Sequence, residues 1–227
     1  MRFVILLNLL LMLSVSLSAQ IGSYRTKAKE LVTKMTLEEK ASLCSGADSW
    51  YTKPVERLGI PAISVSDGPH GLRKADGGGI GKSLPATCFP TGSALGASWN
   101  VDLLHEVGEA LGVESQSFDV QILLGPGINM KRSPLAGRNF EYYSEDPALA
   151  GQLATAFVQG VQSQGVGACV KHFTANNQEY ERMANNSIVD ERTLHEIYLP
   201  AFETVVREAQ PWSIMCAYNL VNGVYAS

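Results

Sequence analysis

Residues 147–173, PALAGQLATAFVQGVQSQGVGACVKHF, hold the pattern that decides the fold. Leu149, Leu153, Phe157 and Val161 recur every fourth residue, which places apolar side chains on one face of an α-helix. Gly165 follows where the helix should stop, because glycine takes the left-handed C-cap conformation without a side-chain penalty. Residues 166–170 then form a short apolar run, read as a buried strand that delivers Lys171-His172 at its end. A helix feeding a buried strand that closes on a polar pair is one unit of an α/β fold.

The alternation repeats on either side. Residues 62–66 read as a strand ended by the turn-former Asp67-Gly68-Pro69, and residues 120–124 as another, broken by Gly125-Pro126-Gly127. Residues 213–217 read as a further strand, ending in Tyr218-Asn219. Asn100 caps a helix with Val101, Leu104, Val107 and Leu111 at helical spacing. Asp190 begins another, with Leu194, Ile197, Ala201 and Val205 on one face, which Pro200 should bend or interrupt. Thr36-Leu37-Glu38-Glu39 is a capping box that opens a short helix towards Gly46. Strands alternating with helices imply parallel strands joined by crossovers.

Asp67, Lys171, His172 and Tyr218 fall just after predicted strand ends, the rim where α/β barrels carry their ligand chemistry. No Gly-x-Gly-x-x-Gly turn follows the first strand, and Gly77-Gly78-Gly79 lies in a polar loop, a turn rather than a phosphate cradle. The predicted class is therefore α/β, a partial (β/α)8 TIM-like barrel.

Composition narrows the function classes. The chain has 227 residues, 45% of them hydrophobic, enough for one large domain or two small ones. Lys+Arg number 18 against Asp+Glu 22, a net charge of −4, which argues against a nucleic-acid partner. Arg2, an apolar run over residues 3–13 and small residues over 14–19 make a secretory signal peptide, residues 1–19. That run is shorter than the roughly 20 residues of a membrane span. The expectation is a mature domain over 20–227, secreted or periplasmic, with no membrane association after cleavage. Of the 4 cysteines, Cys169 and Cys216 sit in apolar strand-like runs and read as small buried thiols. No cysteine pair has zinc-knuckle spacing, so neither a metal nor another cofactor is expected.

The chemistry concentrates in four segments: residues 66–73, 137–141, 171–173 and 215–219. They bring a carboxylate, a guanidinium, an ammonium, an imidazole and a phenol to strand ends. A sugar hydroxyl both donates and accepts, so a carboxylate beside a Lys-His pair can engage both sides of a hydroxyl pair. Each residue also has a structural reading. Asp67 is an ordinary turn-former, Arg138 suits an ion pair with Glu141, and Tyr218 fits a core as well as a site. Lys171 and His172 are harder to explain that way, because a charged pair ending an apolar strand is costly to bury. His70, His105 and His195 read as structural or exposed.

From about Lys34 onward the sequence resembles the N-terminal part of a glycoside hydrolase family 3 β-glucosidase. The resemblance rests on Leu124-Gly125-Pro126-Gly127-Ile128-Asn129, Gly137-Arg138-Asn139-Phe140-Glu141, Ser144-Glu145-Asp146-Pro147 and Lys171-His172-Phe173, in that order. It implies that Asp67, Arg138, Lys171, His172, Arg182 and Tyr218 hold a sugar in the innermost subsite, with Met215 against the ring. Residues 174–179, where the family's N-acetylglucosaminidases carry Pro-Gly-His, resemble the glucosidase branch. Asp67-Gly68-Pro69-His70-Gly71 resembles it too, against the Glu-Ala-Leu-His-Gly of xylosidase-type members.

The implied activity is release of terminal non-reducing β-D-glucose from a glucoside or oligosaccharide by a retaining mechanism. A non-catalytic carbohydrate-binding remnant and a β-xylosidase-type member are the alternatives; Lys171 as a Schiff-base amine is disfavoured by the adjacent His172. The family's nucleophile is an Asp in a Ser-Asp-Trp motif on a later strand, and its acid/base lies in a second domain. Asp48-Ser49-Trp50 has the wrong order, so the expectation is a C-terminally truncated chain, with both groups beyond Ser227 and no activity by itself. Such a piece would expose a barrel edge.

Overall fold

A computed structural model describes residues 24–77 and 81–227. The signal peptide read at residues 1–19 and the Gly78-Gly79 portion of the glycine run lie outside the described residues. The described residues divide into two compact units, 24–47 with 52–62, and 48–51 with 63–77 and 81–227.

In the first unit, α1 (residues 24–34) precedes α2 (Leu37–Ser42). Thr36 accepts from the Glu39 amide while the Glu39 carboxylate accepts from the Thr36 amide, the reciprocal box expected from the sequence. Arg57 then donates to Glu39 Oε2 at 2.7 Å and to the Lys34 carbonyl at 2.9 Å, tying a single 3-10 turn back to the helix start.

The second unit is built on a parallel sheet of β1 (Val65–Asp67), β2 (Ile122–Leu124), β3 (Gly167–Phe173) and, beyond the two-residue β4 (Asn186–Ser187), β5 (Ser213–Cys216). The order is β1-β2-β3-β5, with no reversal of direction. A doubly wound sheet reverses at a switch point; a barrel adds each strand to the same edge, as here. Helices α3 (Gly92–Ala97) and α4 (Val101–Ser117) connect β1 to β2, and α5 (Pro147–Ser163) connects β2 to β3. Asn100 and Asp146 cap α4 and α5 by accepting from the amides of Leu103 and Leu149, and Gly165 has the expected positive φ of +73°.

Leu104 and Leu111 of α4, Leu153, Phe157 and Val161 of α5, and Leu123 of β2 are fully buried together, whereas Val101 is exposed. Gly108 and Gly160 let the two helices touch backbone to backbone. A Cβ on Gly108 would meet the Phe157 carbonyl oxygen, and one on Gly160 would lie 2.9 Å from the Glu109 nitrogen.

The helix opened by Asp190 is interrupted as Pro200 requires. A short α6 (Glu191–Thr193) widens into a π turn over Leu194–Tyr198, with the Leu199 amide donating to the Leu194 carbonyl, before α7 (Pro200–Glu208). Proline crowds the carbonyl four residues earlier, and the wider turn relieves it. The chain then forms a β6 (Leu220–Val221) and β7 (Val224–Tyr225) hairpin, with Asn222 and Gly223 both at positive φ.

Three expectations need correction. Asp67 closes β1, and Lys171 and His172 lie inside β3, instead of following their strands. Backbone pairing continues through them, Asp67 against Leu124 and Lys171 against Met215, because a ladder is indifferent to side-chain charge when that charge finds partners. Cys216 is exposed while Cys169 is buried, since β5 pairs with β3 on one side alone among the described residues. Residues 62 and 63 precede β1, the chain there making an isolated bridge between Ser64 and Tyr51.

Candidate functional site

The site gathers at the C-terminal ends of β1, β3 and β5. After Asp67 the chain folds back at once: the Arg73 amide donates to the Asp67 carbonyl at 2.8 Å, enclosing the loop that carries His70. Gly68 makes this possible, with φ at +156° and no room for a Cβ, which would lie 2.8 Å from the Gly71 carbonyl oxygen. The Arg73 guanidinium stands 3.7 Å from Asp67 Oδ2.

Lys171 and His172 are consecutive, and in a regular strand they would point to opposite faces. The β3–β5 register shifts between Lys171 and Phe173, and both side chains line the same cavity, each residue only 2% exposed. Lys171 Nζ lies 3.5 Å from Asp67 Oδ1 and 3.8 Å from Glu141 Oε2. Glu141, 3% exposed, is also ion-paired to Arg138 Nε across a single 3-10 turn. Burial is the largest single influence and lowers the Arg138 pKa, but the Glu141 hydrogen bond and the charges of Glu141, Tyr142 and Glu179 together raise it. The cluster is self-compensating, as buried charges must be.

His172 Nδ1 is 2.9 Å from the Tyr142 hydroxyl, which also accepts from Asn176 Nδ2 at 3.1 Å. Burial, then the positive charges of Arg138, Lys171 and Arg182, push its pKa down to about 2, so the ring is neutral. Arg182 donates to Glu179 Oε2 at 3.1 Å, and its guanidinium lies 5.0 Å from the centre of the Tyr218 ring.

Asp67, Arg138, Lys171, His172, Arg182, Met215 and Tyr218, the residues singled out from the sequence, all line one cavity of about 510 Å³. That is within the roughly 300–1,000 Å³ typical of small-molecule sites. Ser49, Trp50, Arg73 and Leu124 complete the lining. A neighbouring cavity of about 260 Å³ shares Asp67, Arg73, Arg138 and Lys171 and adds His70, Phe140 and Glu141.

Seven of the lining residues named lie outside the set singled out from the sequence, among them Arg73, Trp50, Glu141 and His70. Nothing in the spacing of the 66–73 segment marks Arg73 as site-forming. Trp50 falls only in the misordered Asp48-Ser49-Trp50 motif. It is brought beside β1 because the Val65 amide donates to its carbonyl, and Asp48 holds its own amide at 2.7 Å. Glu141 was foreseen only as the partner of Arg138. His70, read as structural or exposed, has a buried Nδ1 without a hydrogen-bond partner among the described residues, and burial lowers its pKa. His105 and His195 instead pair with Glu109 and Glu191 on their own helices.

The cavity thus offers fixed donors (Arg73, Arg138, Lys171, Arg182), an accepting carboxylate (Asp67) and apolar surface (Trp50, Leu124, Met215). Such a lining suits a polyhydroxylated ring, whose hydroxyls need both polarities and whose C–H faces need apolar contact. Among the described residues no group of three or more His, Cys, Asp or Glu side chains is placed to hold a metal ion.

The profile of the Glycosyl hydrolase family 3 N terminal domain matches residues 23–227. Thermostable beta-glucosidase B of Acetivibrio thermocellus is 61% identical over 203 residues, covering 88% of this chain and 27% of the relative. An Exo-alpha-(1->6)-L-arabinopyranosidase of Bifidobacterium longum is 53% identical over 201 residues, covering 86% and 27%. Among solved structures, beta-glucosidase 3B from Thermotoga neapolitana in complex with glucose superposes with a TM-score of 0.83 at 47% identity, covering 88% of this chain and 30% of that one. The chain spans 27% of the length of both curated relatives.

Proposed function

The chain belongs to glycosyl hydrolase family 3, and from that premise we propose that the whole protein hydrolyses O-glycosidic bonds, releasing terminal non-reducing β-D-glucose with retention of configuration. The observation that carries this reading is the convergence of Asp67, Arg138, Lys171, His172, Arg182, Met215 and Tyr218 on one cavity. Asp67 accepts from the outer ring hydroxyls; Arg138, Lys171 and His172 complete the clamp, and Met215 packs against the ring. The Acetivibrio relative named a β-glucosidase and the Thermotoga enzyme holding glucose support the choice of sugar.

Retention needs two carboxyl groups about 5–5.5 Å apart, a nucleophile and an acid/base. Asp67 and Glu141 are poorly suited to either role, since each already faces two cations. We assign both catalytic groups to the part of the relatives' length that this chain does not span, and expect residues 20–227 alone to turn over no glucoside. A second substrate is favoured by the Bifidobacterium relative: a terminal α-L-arabinopyranoside, a pentopyranose without the hydroxymethyl group.

Export through the signal peptide at residues 1–19 is proposed as well, and N-terminal sequencing of the secreted or periplasmic protein should begin near Gln20. The function itself is tested by following the anomer released from aryl β-D-glucoside and aryl α-L-arabinopyranoside by the whole protein. β-D-Glucose should appear first. First appearance of α-D-glucose from the glucoside, or turnover of neither substrate, would overturn the proposal.

A further inference from the structure

The hydrogen bonds behind His172 form a directed chain. Glu179 Oε2 accepts from Arg182, and Glu179 Oε1 faces Asn176 Nδ2 at 3.3 Å. A salt-bridged carboxylate only accepts, so the Asn176 amide must present its nitrogen there; the flipped amide would set oxygen against oxygen. The same nitrogen carries a second hydrogen, which it donates to the Tyr142 hydroxyl oxygen at 3.1 Å. Tyr142 is buried, so bulk water does not compete, and among the described residues its hydroxyl has one other hydrogen-bond partner, His172 Nδ1 at 2.9 Å. If Nδ1 carried a proton, the phenol oxygen would receive two donors and its own proton would be left without an acceptor. The Tyr142 proton finds an acceptor only when Tyr142 donates to Nδ1; Asn176 Oδ1 is the one buried atom of this hydrogen-bonded chain without a partner among the described residues.

We propose that Tyr142 is a positioning residue that holds His172 in its Nε2–H tautomer, so that the ring offers the cavity a hydrogen-bond donor and no acceptor. The inference rests on the sugar-site reading for what the donor meets: a substrate hydroxyl accepting from His172 is left free to donate to a carboxylate such as Asp67. The sense of the chain thus sets the polarity with which one hydroxyl is read. Burial raises the Tyr142 phenol far above its ordinary range, so it keeps the proton it donates. The imidazole stays neutral and remains a single-sided donor.

The test uses the whole protein with 15N-labelled histidine and long-range proton–nitrogen correlation, the His172 signals being assigned by their loss in His172→Gln. The expected spectrum shows a protonated Nε2 and an unprotonated, accepting Nδ1. Tyr142→Phe should give a mixture of tautomers and lower kcat/KM on the aryl glycoside roughly five- to tenfold, the loss of one hydrogen bond of about 1 kcal/mol. A protonated Nδ1 in the unaltered protein, or a tautomer unchanged in Tyr142→Phe, would overturn the proposal. If the protein proves inactive on both glycosides while Tyr142→Phe still shifts the tautomer, the assignment of Tyr142 stands and the glycosidase reading falls.

Discussion

Glu141→Gln tests whether one buried carboxylate holds the cation cluster together. Glutamine is nearly isosteric, so no cavity opens and the change is one of charge. Glu141 lies between Arg138, to which it is paired, and Lys171 Nζ at 3.8 Å. Removing one member of a buried ion pair costs about 3–5 kcal/mol, because the partner charge is stranded. Two features place the loss at the lower end. The Arg138 side chain is 20% exposed and can turn towards water, and Lys171 keeps Asp67 at 3.5 Å. The expected destabilisation is therefore about 3 kcal/mol. For a domain of this size each kcal/mol moves Tm by about 2–4 °C, giving a fall of roughly 6–12 °C by calorimetry of the whole protein. Adding Arg138→Met should restore part of it, since one stranded cation goes. Asp67→Asn is the contrasting control: its side chain is 34% exposed, its ion pairs are 3.5 and 3.7 Å long, and its effect on stability should stay below about 1 kcal/mol. A Glu141→Gln variant that melts within 2 °C of the parent, or no earlier than Asp67→Asn, would refute the reasoning.

Asp67→Ala and Lys171→Met should each lower kcat/KM of the whole protein on an aryl β-glucoside about 10- to 100-fold, the range for a hydrogen bond to a charged group; an unchanged value would remove that residue from the clamp. Acid should destabilise the fold through His172. Its pKa falls from the ordinary 6.5 to about 2 on folding, so below pH 6.5 the unfolded chain binds a proton that the native ring refuses. Stability present above pH 6.5 is lost as pH drops towards 2, by up to about 1.4 kcal/mol per pH unit, and His172→Gln should flatten that slope in urea titrations at pH 6 and 4.5; an unaltered slope contradicts the assignment. Gly160→Ala should destabilise by about 1–3 kcal/mol despite alanine's better helix propensity, because its Cβ would lie 2.9 Å from the Glu109 nitrogen. A stabilised Gly160→Ala in urea unfolding would show that α4 and α5 can part at no cost.

The parts of the fold that were legible are those in which local chemistry and tertiary contacts ask for the same thing. Asn100 and Thr36 accept from amides that every helix start leaves unpaired, so their role does not depend on what the helix packs against. Pro200 interrupts its helix for a reason carried by its own ring. Strand limits were less legible, because apolar runs signal burial and not pairing. Lys171 stays paired in β3 and His172 stays within the strand, at the register shift, since their charge and polarity are answered from Glu141, Asp67 and Tyr142, residues 30 or more positions away. Cys216 misled in the same way: its apolar neighbours suggested burial, but β5 lies at an edge of the described sheet. The Val221-Asn222-Gly223-Val224 hairpin carries a strong local signal, asparagine and glycine both being suited to positive φ.

The site was legible as a set and not as a mechanism. Asp67, Lys171 and Met215 converge because parallel strands put their C-terminal ends on one rim, so any strand-end residue of this sheet has a good chance of meeting the others. What the pattern leaves undefined is how charges are shared once they meet. Asp67 and Glu141 are both carboxylates beside Lys171, yet the sheet leaves the first partly open to the cavity and seals the second against two cations. Burial therefore divides the work: a ligand hydroxyl can compete for Asp67, whereas Glu141 is committed to holding Arg138 and Lys171 in place. The same logic separates His172 from His70. Both are lowered by burial, but His172 has Tyr142 to give its ring a direction, while the buried Nδ1 of His70 has no hydrogen-bond partner among the described residues and its ring rests edge-on against Phe140 at 5.6 Å.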